Sequence, residues 1–286
     1  MLAAAIIVFR EVLEAALIVG IVLAASRGIA HRGAWILGGI AAGVVGAVLV
    51  AASAGQIQAA VAGMGQEVFN AAVLLTAVAM LGWHNIWMTQ HGREMALAAN
   101  RLGSEVREGA RPLWALAMAV GLAVLREGSE IVLFLYGIAA TAEGAGGMVL
   151  GGALGLAGGA AAGAALYFGL VRIPVRHLFA VTGWMILLLA AGMAAQAAAF
   201  LVQADLLPQL GSELWDTSFV LTDDSLAGSV LHTLVGYTAQ PSGIQVVFYV
   251  ATLIVTGGLM LLISQVRGSA VSPGRPQQQS QAGPAE

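Results

Sequence analysis

The stretches Phe9–Glu14, FREVLE, and Leu125–Glu130, LREGSE, repeat the pattern Arg-Glu-x-x-Glu inside two long apolar runs of the chain. A run of about 20 mostly apolar residues is long enough to cross a bilayer as a helix. A charged side chain at the centre of such a helix is unfavourable by roughly 2.5–3.5 kcal/mol on insertion scales. Three charges in each of two such runs therefore indicate a functional site within a membrane protein.

The composition also indicates a membrane protein. Apolar residues make up 59% of the 286-residue chain and charged residues only 9%, whereas soluble domains have roughly 25% charged residues. Lipid as the solvent allows an apolar outer surface, and the 38 glycines fit because glycine is common in membrane helices. The absence of cysteine excludes disulfides, thiolate metal sites and thiol catalysis.

Seven apolar runs are candidate membrane spans, and the bilayer core requires them to be helices. The first begins at the N-terminus without a basic segment before it, so we interpret it as a span and not as a cleaved signal peptide. After Arg267 the Pro, Gln, Ser and Gly residues predict a disordered tail, 267–286. The predicted spans are Leu2–Ala25, Ala34–Ala54, Val68–Thr89, Leu113–Ala139, Met148–Val171, Leu178–Val202 and Ile244–Val266.

The arginines predict the orientation. All twelve basic residues are arginines, and only Arg10 and Arg126 lie within spans. The other ten fall after spans 1, 3 and 5 and in the tail, which places them all on one side of the membrane. The positive-inside rule then predicts an outer N-terminus and a cytoplasmic C-terminus.

The order of motifs predicts an internal repeat. The Arg-Glu-x-x-Glu pattern, a Leu-Gly-Gly triplet and a Phe-containing span follow one another twice, at an offset of about 110 to 116 residues in the chain. Because each unit has three spans, the second unit enters the membrane from the opposite side, as in the inverted repeats of transporters. We expect one membrane domain, 1–266, made of repeat one at about 1–111, repeat two at about 112–203, an outer acidic loop at about 203–243 and a seventh helix at about 244–266.

Helical spacing places the motif side chains together. Positions i, i+3 and i+4 share a face, so each motif presents two carboxylates and one guanidinium on one side of its helix. At roughly 1.5 Å per residue both motifs lie near the middle of the membrane. Four facing carboxylates with two arginines favour a hard cation such as iron(III), manganese, magnesium or calcium. The structural alternative is a salt-bridge lattice that only holds the helices together. The predicted metal ligands are Glu11, Glu14, Glu127 and Glu130, supported by Arg10 and Arg126.

Four further residues are candidates for the ion path. His84 and Met88 share a face of span 3 and could line the path or bind metal, and Glu67 precedes that span on the outer side. The alternative for His84 and Met88 is packing and an interfacial aromatic belt. Asp223 belongs to the outer acidic loop, which either attracts cations or is an ordinary solvated loop. The segment from Asp223 to Ser225, followed by Leu226–Leu234, predicts a capped short helix.

The paired motifs in a seven-span chain resemble the oxidase-dependent iron permeases of fungi and bacteria, in particular the bacterial EfeU-type branch. The outer loop also resembles that branch, at Leu214–Ser218, Asp223, Leu231-His232, Leu234–Tyr237 and Pro241–Gly243. The resemblance implies iron import in which iron is oxidised outside and passes to the motif glutamates, with the two arginines orienting them. It further implies a periplasmic cupredoxin-like protein and a haem peroxidase as partners. The pair Gly128-Ser129 departs from Val12-Leu13, so the two half-sites are not equivalent.

The sequence therefore predicts a permease of a bacterial inner membrane, surrounded by lipid, with iron as transported substrate and no resident cofactor or nucleic-acid partner. Three alternatives stay open. One is transport of another divalent metal such as manganese or lead, because carboxylate sites discriminate poorly. Another is a membrane-embedded enzyme, although neither His-Glu-x-x-His nor Gly-x-Ser-x-Gly occurs. The last is a sensor that binds metal without flux.

Overall fold

The computed structural model describes residues 1–61, 65–139, 145–169, 175–222 and 225–262. Every regular element in these ranges is helical, so the chain is an all-α protein as predicted. Asp223, the predicted tail 267–286 and the end of the seventh predicted span lie outside the described residues. The helices are α1 Leu2–Ala25, α2 Arg32–Val61, α3 Gln66–Arg107, α4 Trp114–Ala139, α5 Ala145–Tyr167, α6 Val175–Gln203, α7 Leu226–Val235 and α8 Gly243–Thr252, which continues through a π-helical turn, Leu253–Gly257, to residue 262.

Helix α3 is much longer than its predicted span. It has 42 residues and continues from the expected end at Thr89 to Arg107. The additional segment is polar, but it contains strong helix formers such as Glu94, Met95 and Leu97, so propensity sustains the helix after the apolar pattern ends. The helix ends just before Gly109, whose φ of 78° is the left-handed conformation that glycine adopts readily.

Within the described residues, five helices have the length and apolar composition to cross a membrane: Arg32–Ser53, Gln66–Met88, Gly146–Tyr167, His177–Gln203 and Gly243–Leu262. The chain is therefore a multi-pass membrane protein. Helices α1 and α4 have 24 and 26 residues, which at about 1.5 Å per residue also exceeds the thickness of the hydrocarbon core. Each differs from the five in carrying the three charges of one motif.

Two helix pairs make the most extensive contacts in the fold, α1 with α5 and α2 with α4. Glycines let both pairs approach closely, as small residues do where membrane helices pack. A Cβ at Gly155 would lie 2.5 Å from the Ala5 carbonyl oxygen, and a Cβ at Gly43 would lie 2.7 Å from the Gly121 carbonyl oxygen. In each pair, residues later in one helix contact residues later in the other helix. Both pairs are therefore parallel.

Beside the two motifs, the interfaces differ in which helix carries the small residue. In the α1/α5 pair, a Cβ at Gly159 would lie 2.9 Å from the Val12 Cβ. In the α2/α4 pair, a Cβ at Gly128 would lie 2.7 Å from the Ala47 Cβ. The glycine that makes room is thus on α5 in one pair and on the motif helix α4 in the other. This exchange gives a packing reason for glycine at 128 where the first motif has valine.

Helices α3 and α6 pack together and against α1 and α4. Near the motifs, this core contains the fully buried side chains Ile7, Leu74, Leu81 and Phe134. A second cluster around Val22 lies between α1, α2, α4 and the polar extension of α3. Each motif helix is therefore held between its parallel partner, α5 for α1 and α2 for α4, and the α3/α6 layer.

The loop that follows α6 is ordered by its own hydrogen bonds. The Thr217 amide donates to the Ala239 carbonyl at 3.0 Å, and the Asp216 carboxylate accepts from the Ser218 hydroxyl at 2.6 Å. The Ser218 hydroxyl and amide, together with the Gln240 amide group, hold the pKa of Asp216 below its usual range. The predicted capped helix is confirmed, because the Ser225 hydroxyl accepts from the Gly228 amide at the start of α7.

Candidate metal centre

Helix α1 supplies a buried half-site. The spacing i, i+4 brings the Arg10 Nε within 3.0 Å of a Glu14 oxygen, and an Arg10 Nη lies 3.8 Å from a Glu11 oxygen. Glu11 is 0% exposed and Glu14 is 2% exposed. One guanidinium thus faces two carboxylates away from solvent.

Helix α4 supplies a second half-site with the same spacing but more exposure. The Arg126 Nε lies 3.1 Å from a Glu130 oxygen and 3.9 Å from a Glu127 oxygen. Glu127 is buried, whereas the Arg126 side chain is 33% exposed. The second half-site is therefore open on one side, and the two half-sites are not equivalent.

Helix α3 joins the two half-sites through His84. Its Nε2 lies 3.5 Å from one oxygen each of Glu11 and Glu14, and its Nδ1 contacts Glu130. The ring is 3% exposed and its centroid lies 6.4 Å from that of Phe134, edge to face. One imidazole therefore contacts carboxylates of both motifs.

Ligand atoms from three helices converge in this cluster. One atom each from Glu11, His84, Glu127 and Glu130 lies within 4.8 Å of the others. Four carboxylates and two guanidinium groups carry a formal charge of −2 when the imidazole is neutral. Carboxylate and imidazole donors in that arrangement suit a divalent or trivalent cation.

The cluster contains buried polar atoms that lack hydrogen-bond partners among the described residues. Both carboxylate oxygens of Glu11, Glu14 and Glu127 are buried and have no hydrogen-bond partner among the described residues, even where an arginine nitrogen lies close. Unsatisfied buried polar atoms are costly and call for an explanation such as an ion. A bound cation would satisfy these oxygens, and the donor set has the chemistry to hold one.

The other predicted path residues do not join the cluster. Glu67 is exposed in the first turn of α3, about 25 Å along the helix axis from His84. Met88 is half-buried one turn beyond His84, and a Cβ at Gly92 would lie 3.8 Å from its terminal methyl group. Asp223 lies outside the described residues.

A cavity of about 720 Å³ reaches the open side of the cluster. It lies along α3 from Leu75 to Trp87, and Trp83 in its lining is 73% exposed. His84 and Glu130 are the cluster ligands that line it. An ion in this cavity would meet them before the deeper carboxylates. The lining residues are Leu75, Thr76, Ala79, Met80, Trp83, His84, Trp87, Arg126 and Glu130.

The sequence predicted His84 as a residue that lines the path or binds metal, but it did not predict that His84 lies between the two motifs or that Arg126 contacts Trp87. The Arg126 guanidinium carbon lies 4.0 Å from the centroid of the Trp87 ring, a cation–π distance. The available signal was that Trp87 follows His84 by three residues on α3. That spacing shows a shared helix face but not which residue of α4 faces it.

A multi-pass helical protein with a buried acidic cluster between its helices is built like a metal-ion transporter. The sequence matches the family described as "Iron permease FTR1 family" over residues 1–270, and the chain belongs to that family. It is a transporter and not an enzyme.

Its curated relatives include a protein named ferrous iron permease EfeU from Escherichia coli O6:H1, 34% identical over 255 residues, which cover 87% of this chain and 91% of the relative. Another, from Yersinia pestis and of the same name, is 32% identical over 277 residues, which cover 94% of this chain and 97% of the relative. No solved structure matches the chain.

Proposed function

We propose that this protein imports iron across the cytoplasmic membrane of a bacterium through the cluster formed by its two Arg-Glu-x-x-Glu motifs. The observation that carries the proposal is the convergence of buried, unsatisfied carboxylate oxygens from α1 and α4 on His84. The family and the names of the relatives support iron as the substrate. Glu11, Glu14, Glu127 and Glu130 bind the ion, while Arg10 and Arg126 orient them and balance charge.

The proposal includes seven spans, an outer N-terminus and a cytoplasmic C-terminus. The parallel pairs α1/α5 and α2/α4 support it, since alternating spans place those members in the same direction. Ala77 of α3 lies beside Gly137 of α4, and His84, which comes later in α3, contacts Glu130, which comes earlier in α4. Helices α3 and α4 are therefore antiparallel. The arginine distribution supports the direction of the whole set.

An inverted repeat accounts for the equivalence of the two major helix pairs. In an inverted repeat, α1 corresponds to α4 and α2 corresponds to α5. The α1/α5 pair of the structure then corresponds to the α4/α2 pair. The close contacts of the two pairs also correspond, with Gly155 beside Ala5 and Gly43 beside Gly121. The two half-sites then meet at the repeat interface, where transporters of this architecture bind their substrates.

Uptake by proteoliposomes tests the site. We expect Glu14→Gln and Glu130→Gln to lower radiolabelled iron uptake by about tenfold or more, since each removes a charged ligand whose interactions are worth roughly 1.5–3 kcal/mol. Glu105→Gln is the matched control, because Glu105 pairs with Arg111 at 2.7 Å on the surface. Uptake equal to the parent protein in both motif variants would overturn the site assignment.

A second candidate substrate is another divalent metal such as manganese or lead. The observation that favours it is the imidazole of His84 among the carboxylates, a mixed donor set that several divalent metals accept. Competition by manganese and lead in the same uptake assay decides between the candidates. Equal competition at equal concentration would contradict an iron-specific site.

External oxidation of iron by a cupredoxin-like protein and a haem peroxidase is part of the proposal by resemblance alone. We expect uptake from iron(II) to rise when these partners are supplied on the outer side. Uptake from iron(II) that is unchanged by the partners would show that this permease works without them.

A further inference from the structure

The two motif arginines differ in what they contact. The Arg10 side chain is 3% exposed and is held between the glutamates of its own helix. Arg126 contacts Glu130 at 3.1 Å, stacks on the Trp87 ring, and directs an Nη toward the Met95 sulfur at 3.7 Å. Arg126 therefore connects the cluster to α3 on the side away from the N-terminus of that helix.

The stack of Arg126 on Trp87 forms one end of the cavity. The residues of α3 that line the cavity run from Leu75 to Trp87, and the lining residues of α4 are Arg126 and Glu130. Because α3 and α4 are antiparallel, Trp87 and Arg126 lie at the same end. A fixed guanidinium there repels any cation that moves from Glu130 toward the C-terminal end of α3.

Two metal-binding side chains follow on the same face of α3. His91 and Met95 are spaced i, i+4, and both are half-buried. The His91 ring stacks on Trp87 with centroids 4.8 Å apart, and its Nδ1 lies 3.2 Å from the Trp87 carbonyl oxygen. A carbonyl only accepts, so a hydrogen bond here requires the donor to be Nδ1 and leaves Nε2 as the ring nitrogen that can face a metal ion. Metal-ligating histidines commonly donate their other ring N–H to a backbone carbonyl in this way.

We propose that the Arg126–Trp87 stack is the gate between the cluster and the C-terminal end of α3, and that His91 and Met95 receive the metal ion beyond it. The inference rests on the proposed transport function.

A cation bound at Glu130 competes with Arg126 for the carboxylate and repels the guanidinium. Displacement of Arg126 frees the Met95 sulfur, so that ion arrival and gate opening are linked. Imidazole and thioether then bind the ion more weakly than the charged cluster does, which allows release.

Cysteine accessibility tests the gate without any iron. The chain has no native cysteine, so Met95→Cys and Thr76→Cys report the two sides of the stack. A membrane-impermeant maleimide applied from the side of the α3 N-terminus should label the cysteine at 76, in the cavity, and spare the one at 95. In the Trp87→Leu background, labelling of position 95 from that side should rise about tenfold, as expected for loss of a cation–π contact of moderate strength.

Matched variants separate gating from folding. Trp83→Leu alters a tryptophan that lines the same cavity but does not stack on Arg126, and it should leave labelling at position 95 low. Trp87→Phe keeps an aromatic ring and should be labelled at position 95 as weakly as the parent. Equal labelling of position 95 in the Trp87→Leu background and in the parent background, or an equal rise in the Trp83→Leu control, would overturn the gate. If Trp87→Leu fails to fold, Arg126→Gln, which removes the cation from the stack, replaces it under the same criterion.

The receiving site has its own test. His91→Ala should retain iron binding by the purified protein, measured by equilibrium dialysis, but lower uptake about tenfold. Unchanged uptake would overturn the role of His91. Loss of both binding and uptake would place His91 in the cluster and also overturn it. Failure of the proposed function would instead appear as normal uptake in Glu14→Gln and Glu130→Gln.

Discussion

At the residue scale, His84 is the side chain that links the two half-sites. It contacts Glu11 and Glu14 of α1 and Glu130 of α4 from a third helix. In the proposed inverted repeat, the offset of about 110 residues leads from His84 to Ala194 of α6, a buried small residue, so the second repeat has no histidine at that position. The cluster thus consists of two similar carboxylate halves and one imidazole that has no counterpart.

His84→Leu should weaken iron binding by about 10- to 100-fold, the range found when a group supporting a metal site is removed. Equilibrium dialysis of the purified variant with iron measures the change. His31→Asn is the control, because His31 is exposed with a φ of 61°, a conformation that asparagine tolerates. Binding by His84→Leu equal to that of the control would exclude the imidazole from the site.

At the element scale, close packing of α1 on α5 holds the first motif in place. Gly155 lies against the α1 backbone at Ala5 and Phe9, while Gly152, on the same helix, has open space around the position of a Cβ. The two glycines therefore differ in packing although their sequence environments are similar. Helix α1 cannot keep its depth and rotation if the α5 surface beneath it gains volume.

Gly155→Ala should destabilise the protein by about 1–3 kcal/mol, the usual effect of overpacking. Thermal unfolding in detergent, followed by far-UV circular dichroism, measures the loss as a lower Tm. Gly152→Ala should leave the Tm unchanged or slightly raised, because alanine favours helix. A Tm equal in both variants would show that the α1/α5 contact is looser than described.

At the scale of the whole molecule, the proposed seven-span topology alternates helix directions around the cluster. The extension of α3 ends near Glu105, and the ordered loop after α6 contains Glu213, which is exposed. The proposed topology places these two residues on opposite sides of the membrane. The cysteine-free chain makes the test direct.

Glu105→Cys should react with an impermeant maleimide only from the cytoplasmic side, and Glu213→Cys only from the outer side. Labelling of intact cells and of inverted vesicles measures both. Reaction of both cysteines from the same side would contradict the seven-span arrangement, whatever the outcome at the metal site.

The sequence by itself determined the class of protein, the helical architecture and the two charged motifs. Low charge, long apolar runs and the i, i+3, i+4 spacing are properties of composition and of neighbouring residues, so they are visible in one dimension. The first helix was predicted with the bounds that the structure gives, and the capped helix at Ser225 was predicted from its polar start.

Only the tertiary structure decided which faces meet. His84 joins residues more than 40 positions away on either side, and Arg126 finds Trp87 and Met95 on another helix. Such contacts depend on the rotation and depth of whole helices, which the glycine interfaces set through backbone contact. A sequence pattern indicates the helix face on which a residue lies. Packing decides what that face contacts, and here it places His84, predicted to line the path or bind metal, between the glutamates of the two motifs.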